Sequence, residues 1–349
     1  MKKIRIAQIG IGHDHANVIF HALNRLSDVF EVVGYAEVPE DDLPYEWSKT
    51  NKKNNAIFYE KSKKYTVEEI LSMKDLDAVA IETYDLNLVK YAKMAVERGL
   101  NVHVDKAPGE SEKEFEELLS MAKEKNLLLN MGYMYRYNPV IKNSIERVKK
   151  GEIGKVNDVE AEMNIVYGIE KREWLSGFRG GMMQYLGCHL VDLVVRTLGV
   201  PEEIIPCNYS TGVDGLDVLD GGFAVFKYKN AMATIKSNMV DVGGFVRRHL
   251  TLKGDKGTIQ ILPLEKVEGK YYEISSISTE FSIDDGFHSL GKTNKSEIFD
   301  RYGVMLKEFA AMVRGDREVE VDLETEAKIH RCLLKANGFD VDFKGEIKL

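Results

Sequence analysis

The chain has 349 residues, 44% of them hydrophobic, and a formal net charge of -8. That length exceeds one typical core and suits two domains, each able to bury its own. An acidic balance with both signs interspersed argues against a general nucleic-acid or anionic-membrane surface, so neither is an expected partner. Cys188, Cys207 and Cys332 are odd in number and lack metal-ligand spacing, which fits a reducing, cytoplasmic setting. The opening "MKKIRIAQIGIG" has the basic start of a signal peptide, but Gln8, Gly10 and Gly12 break its apolar run. No segment approaches the roughly 20 apolar residues that span a bilayer.

In chain order, "KIRIAQIG" reads as a buried parallel strand, "HANVIFHALNRL" as a helix, "FEVVGYAE" as a second strand and "NAIFYE" as a short third. Thr66 and Glu69 have capping-box spacing at the start of "TVEEILSM". The strand "LDAVAIET" and the helix "NLVKYAKMAVERG", stopped by Gly99, lead to the strand "LNVHVDK". Ser111 and Glu114 cap the next helix, and "LLLNMGY" closes the series. This alternation predicts an N-terminal, doubly wound parallel sheet of Rossmann type over residues 1–130.

Beyond it, "DVEAEMNIVY", "GFAVFKYKNAMATIKSNM" and "RRHLTLKGDKGTIQILP" read as longer strands, the last two as hairpins turning at Lys229-Asn230 and Gly254-Asp255-Lys256-Gly257. Helices are expected over 139–150, 183–198 and 301–313. Residues 131–349 therefore form an α+β domain with a large, mostly antiparallel open sheet. A strand-helix barrel is not expected, because the alternation stops.

The stretch "IGIGHDHANVIF" carries the first motif. Gly10 and Gly12 suit the turn and the pyrophosphate approach of a dinucleotide fingerprint, while His15 holds the third glycine's place with Ala16 after it. Glu37 falls where a carboxylate grips the adenosine ribose, and the "PEDD" that follows Val38 has no basic residue, which favours NAD over NADP. His13 and His15, at i and i+2, could ligate a metal only with further ligands from elsewhere. No second histidine pair supplies them, so no metal is expected, and both histidines are read as cofactor-cleft residues. Thr83, ending its strand, is a further cofactor-side residue. Lys106 lies just past a strand's carboxyl end, where open sheets bind ligands, and could hold a substrate hydroxyl.

From Asp105-Lys106-Ala107-Pro108 onward the chain resembles the Gfo/Idh/MocA family of nicotinamide-dependent sugar and cyclitol oxidoreductases, whose motif here is Glu-Lys-Pro. The lead-in "TYDLNLVKYAKMAVERGLNVHVDK" is similar to the family's, with Tyr84 and Leu88 departing from it. "MGYMYRYNPVIKNSIERVKKGEIGKV" is similar to the family's domain crossover, with Arg136, Pro139, Gly151 and Gly154 in place. "GGMMQYLGCHLVD" resembles its second signature through Gly180, Gly181, Gly187, His189 and Asp192, with Tyr185 at an acidic position. The resemblance implies hydride transfer between NAD and a hydroxyl or keto carbon of a small polyhydroxylated substrate. It also implies a homodimer or homotetramer built through the C-terminal sheet. Lys106 would bind the reacting oxygen and His189 move the proton. Asp192, at i+3, would orient the imidazole, and Tyr185 would assist as donor or acid. Arg136, Trp174 and Arg172 are candidate pocket residues. A non-catalytic sugar or nucleotide sensor, and an NAD-using hydrolase, remain alternatives on the same scaffold.

Overall fold

A computed structural model describes residues 2–347. Two compact units result: Met1–Tyr133 with Tyr302–Ala327, and Met134–Arg301 with Lys328–Leu349. The strand-helix alternation gives no sign of the chain's return to the first unit.

In the first unit, β1 (Ile4–Ile9), α1 (Ala16–Arg25), β2 (Phe30–Ala36), α2 (Glu46–Asn55), α3 (Val67–Leu71), β3 (Ala78–Ile81), α4 (Leu88–Glu97), β4 (Asn101–Val104), α5 (Glu112–Glu124) and β5 (Leu129–Met131) follow one another. The described strands make a five-stranded parallel sheet in the order β2-β1-β3-β4-β5. All four residues of β3 are buried, as are Val102, His103 and Val104 of β4, the pattern of strands covered on both faces. The order reverses between β1 and β3, so the crevice beyond the carboxyl ends of β1, β3 and β4 is where such a sheet takes ligands. The predicted capping box is complete. Thr66 Oγ1 accepts from the Glu69 amide at 3.1 Å, and the Glu69 carboxylate accepts from the Thr66 amide at 2.7 Å.

"NAIFYE" is not a strand. Its Asn55 ends α2, and Ala56–Phe58 continue as one tight 3-10 turn with Ile57 largely exposed. The edge that a third strand would have joined is met by the single bridge Tyr35–Lys64. Tyr59 instead turns inward, its ring 4.7 Å from those of Phe20 and Tyr35 and its hydroxyl accepting from Gln8 at 3.0 Å. Packing of that one aromatic overrides the local β-propensity.

In the second unit, α6 (Pro139–Lys149), β6 (Val156–Glu162), α7 (Ile169–Leu175) and α8 (Cys188–Leu198) are followed by β7 (Glu203–Pro206), β8 (Gly221–Lys227), β9 (Met232–Asn238), β10 (His249–Gly254), β11 (Gly257–Ile261), β12 (Lys266–Val267), β13 (Glu273–Ser275), β14 (Ile277–Ser282), β15 (Lys292–Lys295) and β16 (Phe299–Asp300). The described strands build an eight-stranded sheet, β15-β14-β11-β10-β6-β9-β8-β7, antiparallel except for β6 beside β9. Both expected hairpins form, as β8–β9 and β10–β11. Ala233, Ile235 and Ser237 of β9 alternate inward, the signature of a sheet with one covered face. The helix expected over 183–198 has two parts: a π turn at Met183–Gly187, then α8. Such turns re-aim side chains and recur at functional sites.

Candidate functional site

The first unit's candidate residues gather at the carboxyl edge of its sheet. Gly10 has φ +90°, and a Cβ there would stand 2.4 Å from the Thr83 amide nitrogen, so the turn after β1 presses against the end of β3 as only glycine permits. At Gly12 a Cβ would meet Asp41 Oδ1 at 2.4 Å. The Asp41 carboxylate accepts from the Ile11 amide at 2.7 Å, the Thr83 hydroxyl at 2.7 Å and the Tyr84 amide at 3.2 Å. Burial pushes Asp41 above the usual carboxylate range against the pull of these donors. The His13 amide donates to Glu82 O at 2.9 Å and the His15 amide to His13 Nδ1 at 3.0 Å. The backbone path of the turn thus fits a dinucleotide, while the amides of Ile11, His13 and His15 already serve acceptors of this chain. A pyrophosphate that took the Ile11 amide would displace Asp41.

Past the turn lies a buried polar cluster. His13 Nε2 donates to the Lys106 carbonyl at 2.9 Å and lies 3.3 Å from Asp85 Oδ1. His13 Nδ1 is 3.4 Å from Asp105 Oδ2 and 3.8 Å from Glu82 Oε2, and His15 Nδ1 is 3.2 Å from the same Asp105 oxygen. The His15 ring, in the third glycine's place, therefore turns onto Asp105 and stacks edgewise on Tyr302, with ring centres 5.7 Å apart. Burial raises Glu82, and the neighbouring Asp105 charge drives it well above its ordinary value. Burial also works against ionised Asp105, but His13, His15 and Lys106 outweigh it and hold that group low. His13 is lowered by burial and raised more by Asp105 and Asp85, so it ends high; for His15 burial wins and the ring ends low. Lys106 is wholly buried, its amide donating to Asp105 Oδ1 at 2.6 Å.

Glu37 stands just past the end of β2, its carboxylate accepting from Lys64 at 2.6 Å and 3.1 Å from Lys52. Burial raises it, but these lysines prevail and hold it below the usual range. The PEDD segment itself has no basic residue, but α2 brings Lys49, Lys52 and Lys53 to a cleft shared with its Asp41 and Asp42. Helix α2 was not legible in its Lys- and Asn-rich sequence, and its lysines were missed with it.

In the second unit the π turn carries Tyr185, and His189 sits in the first turn of α8. The His189 ring meets Tyr135 edge-on, centres 5.0 Å apart. Tyr135 donates to Glu265 Oε2 at 2.8 Å, and burial together with the Glu265 charge pushes its phenol up to about 12. Asp192 does not reach His189. Both of its hydrogen bonds come from Arg136, Nε at 2.9 Å and Nη2 at 2.7 Å, within a pair almost wholly excluded from solvent. A guanidinium offering two charged donors outcompetes an imidazole one turn away. Arg136, expected to face substrate, pairs with Asp192, and Arg172 reaches Asp214, the Val213 carbonyl and, at 3.5 Å, Asp220. Trp174 is fully buried between Phe178 and Tyr185, with ring centres 4.8 and 5.4 Å away. Lys171, absent from the sequence reading, lies 3.9 Å over the Trp174 ring and 5.0 Å from that of Tyr185. Its only sequence signal is the i, i+3 spacing to Trp174 on one helix face.

Residues 143–260 match the model of the GFO/IDH/MocA C-terminal domain. The match runs from α6 into β11 and covers about a third of the chain. An uncharacterized oxidoreductase of Escherichia coli (strain K12), YhhX, is 27% identical over 139 residues, 40% of each chain. The D-xylose 1-dehydrogenase (NADP(+)) 2 of Haloferax volcanii is 25% identical over 174 residues, 49% of this chain and 53% of the other. The alignments thus span about half or less of these two relatives. A crystal structure of KijD10, a 3-ketoreductase from Actinomadura kijaniata in complex with NADP and TDP-benzene, superposes with a TM-score of 0.74 at 16% identity. It covers 95% of this chain and 96% of KijD10, and shows the shared fold. Among the described residues, no helix is long and apolar enough to cross a membrane.

Proposed function

We propose that the protein is a nicotinamide-dependent oxidoreductase that interconverts a hydroxyl-bearing carbon and its ketone in a sugar, cyclitol or related polyol. The observation that carries this reading is Lys106: a fully buried lysine at the carboxyl end of β4, beside the glycine turn of β1. The relatives' names support it, one an NADP-dependent sugar dehydrogenase. A bound nicotinamide supplies the two-electron chemistry. Lys106 holds the reacting oxygen and stabilises its developing negative charge. His189, its ring set by Tyr135, takes or returns the hydroxyl proton. Tyr185, beside Lys171, contacts the substrate's other hydroxyls. Glu37 grips the adenosine ribose and favours NAD, with Lys52 and Lys64 as its counterions. The eight-stranded sheet is the proposed interface of a homodimer or homotetramer.

A second reading, a sugar or nucleotide sensor without turnover, draws support from Asp41 over the Ile11 amide and Tyr185 at the acidic position. A screen of sugars, inositols and sugar acids for reduction of NAD and NADP tests the two. Reduction with at least one polyol supports the oxidoreductase. Tight cofactor and polyol binding with no reduction across the panel would replace it with the sensor.

A further inference from the structure

We propose that His13, His15 and Asp105 bind a divalent transition-metal ion of the zinc type, at a site beside Lys106 that the oxidoreductase reading above does not require. The turn between β1 and α1 and the end of β4, some 90 residues apart in sequence, bring the three side chains together. One ligand atom from each lies within 4.8 Å of the others. Asp105 Oδ2 is 3.4 Å from His13 Nδ1 and 3.2 Å from His15 Nδ1. Two metal bonds of about 2.0–2.2 Å at tetrahedral angles subtend about 3.3–3.6 Å, so these edges need almost no adjustment.

The hydrogen bonding selects the right tautomer at His13. Its Nε2 faces the Lys106 carbonyl, a pure acceptor, at 2.9 Å and so carries the proton. Nδ1 is left with its lone pair, which accepts from the His15 amide at 3.0 Å, with Asp105 Oδ2 3.4 Å and Glu82 Oε2 3.8 Å away. A ligating histidine that donates its other N–H to a backbone carbonyl is the arrangement that orients imidazoles on metals. Metal binding would exchange the His15 amide contact at Nδ1 for a stronger bond.

Charge gives the independent argument. Glu82, Asp85 and Asp105 are all buried, and Lys106 is the one lysine buried among them. Glu82 is fully excluded from solvent, and no hydrogen-bond donor reaches either of its oxygens. It lies 3.8 Å from His13 Nδ1, aimed into the same space. Burial and the Asp105 charge disfavour the ionised form of Glu82, and a cation held among the three carboxylates would offset that cost. Two imidazoles with one carboxylate select zinc-like ions over calcium or magnesium, which prefer all-oxygen sites. The His15 side chain, 16% exposed, provides the entry.

The test uses the full chain, stripped with a chelator and titrated with Co2+ in the absence of cofactor and substrate. We expect one Co2+ per chain with visible d–d absorption, displaced by Zn2+. His15→Ala and the isosteric Asp105→Asn should each weaken binding at least 10-fold, with far-UV circular dichroism unchanged. Wild-type protein that binds no more Co2+ than either variant would overturn the proposal and leave a protonated His13 to balance the carboxylates. Because the readout needs neither cofactor nor turnover, its failure would leave the oxidoreductase reading standing, and the converse holds.

Discussion

Replacing Arg136 by methionine keeps most of the aliphatic bulk and removes the guanidinium. Asp192 then remains as a carboxylate with 1% of its side chain exposed and with both of its hydrogen bonds lost. Breaking a buried pair from one side costs about 3–5 kcal/mol, because an uncompensated charge stays behind. In a domain of this size each kcal/mol moves Tm by about 2–4 °C, so a fall of about 6–20 °C is expected. Removing both charges, in Arg136→Met/Asp192→Leu, should recover most of the loss, since an apolar pair of similar volume is often no worse than a buried ion pair. Differential scanning calorimetry, with urea midpoints in parallel, reads all three proteins. A single substitution costing under about 1 kcal/mol would mean the pair behaves as an exposed one. A double variant no better than the single would mean that the loss comes from packing, and either result would refute the assignment of Asp192 to Arg136.

Three other outcomes follow from the first unit. Glu37→Ala should weaken NADH binding by on the order of 1–3 kcal/mol and narrow the gap to NADPH; fluorescence titrations in which the wild type binds NADPH as tightly as NADH would sink the ribose role. Gly10→Ala places a methyl 2.4 Å from the Thr83 amide at a φ of +90°, and should cost more than about 1 kcal/mol in urea unfolding. Unchanged stability there would mean that the turn is not pressed against β3. Glu40 is held down to about 2 by hydrogen bonds from Lys90 and Tyr91. Its folded value lies below its unfolded one, so the stabilisation is present above about pH 4.5 and fades as the pH falls toward 2. The pair is largely solvated, so Glu40→Gln should cost only roughly 0.5–1 kcal/mol at pH 7, shrinking at pH 3, and a pH-independent cost would contradict the ion-pair origin.

The parallel sheet, its capping box at Thr66 and Glu69 and the two hairpins were legible because each is written in local periodicity and turn chemistry. "NAIFYE" was misread because the inward turn of Tyr59 is a tertiary fact that its β-branched and aromatic neighbours do not announce. Short strands such as β12 and β16, two residues each, carry no period to read. At the candidate sites, residue types were legible and partners were not. Asp192 at i+3 from His189 suggested a local pair, yet Arg136, 56 positions away, takes it. Asp105 joins His13 and His15 only because β1 and β4 end at the same edge of one sheet, with β3 between them. Lys171 was overlooked because a lysine in a charged run reads as solvated until the aromatic rings around it are seen.

The most direct test of the proposed chemistry is single-turnover reduction of NAD by wild type and by Lys106→Met, with a polyol found by the screen. If Lys106 holds the reacting oxygen, the substitution should slow the chemical step by about 10²- to 10⁴-fold while leaving NADH affinity nearly intact. A Lys106→Met protein that reduces cofactor at the wild-type rate would contradict the account at its centre.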